Sequence, residues 1–342
     1  MTENQFILEL ESALKKLPAE ELADIRQDIR EYFTDGREDG KSESDIADSL
    51  GSPDKIAQEL LATYSFVETK TKEPISSLND IVTLQDNSYT KVDINVRHGA
   101  LVVAPSDTST TTVELVGSND KLKLTAEVVG DTLSIQLKST RHWLFNFNMK
   151  AVILNVFIPT KLYQSYAMKT DNGRIEAEKL LGKKIIAKTD NGKIRLTEIA
   201  ATVLHAETDN GRIEIKKVQA DQLKTKTDNG RIEMHTVEAD SITAESDNGR
   251  IVFEQVNGNL TAATDNGRIT LQTLSLDQNV DFKTDNGSIA IRSENAPTNV
   301  SIHAKTSHGK IDIFGERNSR TVFGAGEHTI RLKSDNGRIT VS

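Results

Sequence analysis

The sequence predicts a mainly β protein, a parallel β-solenoid of about nine 19–20-residue coils with a β N-terminal cap, preceded by a small all-α domain. Three observations lead there. A core of Asp-Asn-Gly, a residue that is most often basic, and Ile recurs through the second half of the chain. Its glycines are Gly173, Gly192, Gly211, Gly230, Gly249, Gly267, Gly287 and Gly337, with a degenerate copy, Thr-Ser-His-Gly-Lys-Ile, at Gly309. Successive glycines lie 19, 19, 19, 19, 18, 20, 22 and 28 residues apart. A fixed period of roughly 20 residues marks an array in which one supersecondary unit stacks on the next. Inside each repeat the apolar residues alternate with period two, as Ile213 and Ile215 do around Glu214, which is the pattern of a strand with one buried face. The first 66 residues instead show helical spacing.

In residues 1–66, Phe6, Ile7, Leu10, Ala13, Leu14 and Leu17 form one helical stripe. Pro18 opens a second helix, where the first turn tolerates it, and Leu22, Ile25, Ile29, Tyr32 and Phe33 form its apolar face. A polar loop leads to a third helix capped by Ser42 or Ser44 and ended by Gly51. Ser52 then caps a fourth helix with Pro53 at its first position. Tyr32, Phe33, Gly36, Gly40, Leu50, Gly51, Pro53, Ile56, Ala57, Glu59 and Leu60 together resemble the motif of the HAAS signalling domain. The resemblance implies association with PadR-type transcriptional regulators, and it makes the aromatic pair Tyr32 and Phe33 candidate partner-binding residues. In that family membrane-embedded segments often follow; here β repeats do.

Residues 67–79 read as a polar linker, and residues 80–342 as the solenoid, with 80–168 as its β cap and 169–342 as the repeats. In the cap, alternating stretches from Lys91, Leu122 and Thr132 are bounded by Pro, Asp and Gly turns. In the repeats, Ile175, Ile194, Ile213, Ile232, Ile251, Ile269, Ile289, Ile311 and Ile339 each stand two residues after a motif glycine. A second apolar column stands seven residues before it: Ile185, Leu204, Leu223, Ile242, Leu260, Val280, Ile302 and Ile330. Two short strands per repeat follow. This half resembles the β-strand-repeat family labelled "putative adhesin". The combination with a HAAS-like module resembles the YvlB-type proteins of firmicutes, which implies a cytoplasmic protein linked to cell-envelope stress.

The turn residues Asp171, Asn172, Gly173, Asp190, Asn191, Gly192, Asp209, Asn210, Gly211, Asp228, Asn229, Gly230, Asp247, Asn248 and Gly249 are expected to form one corner copied from coil to coil. Asn and Gly tolerate positive φ, and Asn-Gly suits tight turns of the primed type. Asp is expected to accept backbone N–H groups within the turn. Stacked Thr170, Thr189, Thr208, Thr227, Thr264 and Thr284 are expected to link coils through their hydroxyls. A stacked Asp column repels itself by about 1 kcal/mol per neighbour pair; the basic column at Arg174, Lys193, Arg212, Arg231, Arg250 and Arg268 is expected to offset that.

Composition excludes several classes. The chain has no Cys, so disulfides and thiol chemistry are absent. Its 7 His are scattered without ligand or triad spacing. Neither the EF-hand pattern nor the glycine-rich calcium nonapeptide occurs. No enzyme, cofactor or metal site is expected. Residues 1–70 carry 17 acidic and 8 basic residues and residues 71–342 carry 34 of each, so the β part has no basic excess to draw nucleic acid. The N-terminus lacks a basic and apolar leader, and the apolar run at residues 151–159 is too short to span a bilayer, so a cytoplasmic location is expected. The one irregular stretch holds Trp143, Phe145 and Phe147. These either shield the open end of the core or anchor a protein or membrane surface. The expected function is a non-enzymatic scaffold, an acidic helical module for a protein partner joined to a rigid solenoid. A cell-surface adhesin and an end-stacking solenoid polymer are the alternatives.

Overall fold

The computed structural model describes residues 1–15, 22, 25–26, 29–30, 33–34, 37, 42–57, 80–117, 122–139 and 152–342. Contacts group the chain into a helical unit and a β unit.

In the helical unit, helix α1 (Glu3–Ala13) starts at a capping box in which Thr2 accepts from the Gln5 backbone and Gln5 answers to Thr2. Helix α2 (Glu43–Leu50) is capped by Ser42, which settles the choice against Ser44, and ends at Gly51 with φ 87°. Phe6, Ile7, Leu10 and Leu14 are buried together with Ile46 and Phe33. The Phe6 and Phe33 rings meet edge to face at 5.8 Å. Arg37 ties the two helices at the surface, with Nη1 2.6 Å from Glu3 and 3.1 Å from Glu43.

The β unit is one continuous, largely parallel sheet that coils around a single apolar core. Alternation decides which side chains enter it. The motif isoleucines from Ile175 to Ile289 and Ile339 are fully buried; Ile311 is partly exposed because its coil is outermost. The expected pair of short strands per repeat appears in Leu181–Thr189 and Ile194–Thr197. In the middle coils the two merge into strands such as Ile213–Thr227, which bend without losing the ladder. The bend is set by a residue that the sequence did not mark. Lys179, Glu198, Lys217, Thr236 and Gln255, each six residues after a motif glycine, have φ between 52° and 56°. A β-branched residue suits that region least. Thr236→Asn is therefore expected to raise stability by about 1 kcal/mol, read as a shift in the chemical denaturation midpoint.

Stacking order departs from chain order at both ends. Lys91–His98 and Ala100–Ser106 lie directly on the first motif coil, parallel to Tyr163–Asn172 and Ile175–Glu178. The later strands Thr132–Ser139 and Ile153–Pro159 then stack outside them. Residues 80–168, expected as the N-terminal β cap of the solenoid, thus supply further parallel layers as well as the strands that close them. Closure comes from antiparallel strands, Leu122–Val129 on Thr132–Ser139, Thr111–Val116 on Ile153–Pro159, and Asp80–Leu84 on Thr111–Val116. At the other end, His328–Ser334 enters between Val280–Thr284 and Val300–Thr306. Ile339–Val341 likewise enters between Ile289–Ser293 and Ile311–Ile313. The last coil in sequence is thus inside the stack, and the antiparallel strand Arg320–Phe323 covers the outer edge of Val300–Thr306. This arrangement places the short antiparallel strand Arg320–Phe323 along an edge that would otherwise invite pairing.

Candidate functional site

The repeated corner is where the sequence concentrates its signal, and every part of it is used between coils. A Cβ placed on Gly230 would lie 1.8 Å from the Gly211 carbonyl oxygen; on Gly192, Gly211, Gly267 and Gly337 the same contact is 1.8–1.9 Å. Glycine is required because the backbones of adjacent coils touch. The motif glycines and asparagines do not have positive φ, so the expectation of a primed turn is overturned: the corner repeats by stacking, and each coil is shaped by its neighbour.

Hydroxyls complete the contact as the sequence indicates, with the acceptor now identified. Thr189 Oγ1 donates to the Gly173 carbonyl at 2.9 Å, Thr227 to that of Gly211 at 3.1 Å and Thr284 to that of Gly267 at 3.0 Å. The Gly230 amide in turn donates to Thr227 Oγ1 at 3.0 Å. Asn has a role that sequence reasoning missed. Asn191, Asn210, Asn229, Asn248, Asn266, Asn286 and Asn336 each donate Nδ2 to the Oδ1 of the Asn in the preceding layer, at 2.7–2.9 Å. Such amide ladders stabilise stacked identical strands. The ladder column is bracketed by histidines in both flanking layers, with His98 in register with Asn172 and His308 following Asn336. The degenerate motif is therefore the end of the column, and its position explains its sequence.

Charges pair differently from the expectation. Asp carboxylates meet the lysine two residues earlier, as in Asp285 with Lys283 at 3.3 Å and Asp335 with Lys333 at 3.4 Å. In the basic column, Arg231 Nε sits 2.8 Å from Glu233, and Lys193 Nζ 3.1 Å from Glu214. The Asp backbone carbonyls, rather than the side chains, hold the corner: Asp209 O accepts from both Asp228 N and Asn229 N, at 3.1 and 2.9 Å.

Glu214 is the one buried carboxylate of the face, and Lys216, Lys193 and Arg195 surround it. Burial works to raise its pKa, but the Lys216 hydrogen bond and the Lys193 and Arg195 charges outweigh it and hold the carboxyl at about 2. A depressed folded-state pKa adds stability above the unfolded value of about 4.3, and that contribution is lost as the pH falls from about 4.5 toward 2. Glu214→Gln is expected to cost about 3 kcal/mol at pH 7 and to flatten the acid limb of the stability curve. Urea melts across pH 2–7 measure both.

Of the candidate partner-binding residues, Phe33 is fully buried and packs on Phe6, which makes it a core residue rather than a contact surface. Tyr32, Trp143, Phe145 and Phe147 lie outside the described residues. Among the described residues no group of three or more His, Asp and Glu is placed to hold a metal ion, and no helix is long and apolar enough to cross a membrane. A groove of about 850 Å³ crosses successive coils, its lining including Ala201, Ala220, Ala239 and Gly258. Its polar rim is tied to the layers: Asn259 Nδ2 donates to the Asp240 carbonyl and Gln278 Oε1 accepts from Gly258 N.

Residues 89–342 match the family Toastrack DUF4097, and residues 5–59 match HAAS. Similar solved structures include a "putative adhesin" from Parabacteroides distasonis, 12% identical, covering 78% of this chain and 98% of that one with a TM-score of 0.49. Another, from the same organism, is a "putative lipid binding protein", 16% identical, covering 77% and 96% with a TM-score of 0.47. A further "putative adhesin", from Bacteroides fragilis, is 13% identical, covering 77% and 97% with a TM-score of 0.39. The comparison with curated proteins finds no match.

Proposed function

We propose, on the premise that this chain belongs to the Toastrack DUF4097 family and carries a HAAS domain at its N-terminus, that it works as a non-enzymatic scaffold. The helical unit takes a regulatory protein, and the solenoid supplies a stiff body that holds or spaces it. One observation carries this reading. The repeated polar residues of the solenoid are spent on ladders between coils, which leaves the corner no group for catalysis, whereas the charge excess lies in residues 1–70. An acidic module favours a basic protein surface. A PadR-type regulator or an envelope-stress protein, acting in the cytoplasm, is the partner this reading expects.

The test is affinity capture with the full chain, using a chain that lacks residues 1–79 as control. A PadR-type or envelope-stress protein recovered with the first and lost with the second supports the scaffold. Equal recovery with both, or recovery of neither class, contradicts it, as does fractionation that finds the protein only on the cell surface.

A further inference from the structure

An outward row of the sheet changes character along the stack. Two residues before each motif Asp, the middle coils alternate in sign: Lys188, Glu207, Lys226 and Glu245 stand in register in successive layers, and Lys188 Nζ is 2.5 Å from Glu207. At the C-terminal end the same row reads Lys283, Lys333, Lys305, directly opposite one another. Like charges opposed across strands destabilise a sheet, so folding alone does not account for this row. The neighbouring row on the same face reads Asp281, Arg331, His303, Arg320. Three carboxylates reduce the charge, Asp285 beside Lys283, Asp335 beside Lys333, and Asp281 opposite Arg331. In the outermost coil, however, Ser307 replaces the motif Asp, so Lys305 has no corner carboxylate of its own. Two residues from Arg320 and on its face of the strand is Val322, 50% exposed.

We propose that this end of the solenoid, with Arg320 and Arg331 in one row, Lys305, Lys333 and Lys283 in the next, and Val322 at their outer edge, docks on the anionic headgroups of a lipid bilayer. A basic surface with a protruding apolar residue fits that interface: the cations meet headgroup phosphates and the apolar side chain enters the acyl boundary. A dissolved polyanion would use the charges but not Val322. Lys305, which has no corner carboxylate, then gains an anionic partner, and Lys283 and Lys333 gain partners beyond Asp285 and Asp335.

The experiment is co-sedimentation of the full protein with vesicles of phosphatidylcholine alone, or with phosphatidylglycerol added, at about 0.1 M salt, where screening is moderate. Binding is expected only with phosphatidylglycerol. Lys305→Gln combined with Arg320→Gln should weaken it roughly 30-fold, from about 1 kcal/mol per basic residue near the surface, and Val322→Asn should weaken it further. All these positions are exposed, so melting curves should stay unchanged. Several results would overturn the proposal: no vesicle binding, equal binding to both vesicles, or binding that survives the double variant. Association with soluble polyphosphate or with a second copy of the chain, without preference for vesicles, would assign the surface to those occupants instead.

Discussion

Gly230→Ala is expected to destabilise the solenoid by about 4 kcal/mol or more, beyond the usual cost of overpacking. The added methyl would meet the Gly211 carbonyl oxygen at 1.8 Å, and that atom belongs to a backbone laddered on both sides, so it has little room to retreat. Prising the layers apart also lengthens the hydrogen bonds from Asn229 Nδ2 to Asn210 Oδ1 and from Thr227 Oγ1 to the Gly211 carbonyl. Gly130 supplies the control. Its φ is +62° with nothing within 4 Å of an added Cβ, so Gly130→Ala should cost only about 1 kcal/mol of backbone strain. Urea denaturation of the two variants separates close approach from conformational freedom. Equal losses would mean that the motif glycine is chosen for its φ after all.

Ending the chain after Glu327 is expected to have the largest effect. The removed coil buries Ile330, Leu332, Ile339 and Val341, and at about 1.5–3 kcal/mol per buried side chain the loss is about 6 kcal/mol or more. Position amplifies it. Because the coil lies between Val280–Thr284 and Val300–Thr306, its absence opens a slot inside the sheet and detaches the outer coil with its covering strand. The shortened chain should melt at lower denaturant and in more than one step. A single transition at the original midpoint would mean that the last coil sits at the end and is dispensable.

Much of the fold is legible in the sequence because one constraint repeats. Ile two residues after Gly and an apolar residue seven before it recur at a constant period, and a period-two pattern with a fixed register leaves a stacked parallel sheet as the consistent arrangement. Order within the stack is not legible. The coil of Gly337 carries the same Asp, Asn and Gly as the other full copies of the motif, so it fits equally well at the end or inside; only the intervals of 22 and 28 residues hint at a detour. The positive-φ residue of the second bend is not legible, because Lys, Glu, Lys, Thr and Gln fill it and none of them announces such a conformation. Asn suits tight-turn geometry and an amide ladder alike, so a single sequence does not show that here it serves the ladder. Phe33 illustrates a general confusion: an aromatic in a family motif marks either a contact or a core, and here it packs on Phe6.

At the C-terminal end the corners stack as Gly287, Gly337, Gly309, with the amide ladder running through Asn286 and Asn336. A chain without native Cys allows a direct test. Asn286→Cys with Asn336→Cys places two thiols in adjacent layers about 4.8 Å apart, within the Cα separation a disulfide spans. Asn286→Cys with His308→Cys places them two layers apart, about 9.6 Å, beyond that reach. Under mild oxidation, non-reducing electrophoresis and mass spectrometry should find a rapid intramolecular bond in the first pair and none in the second. A bond in the second pair and none in the first would contradict the account.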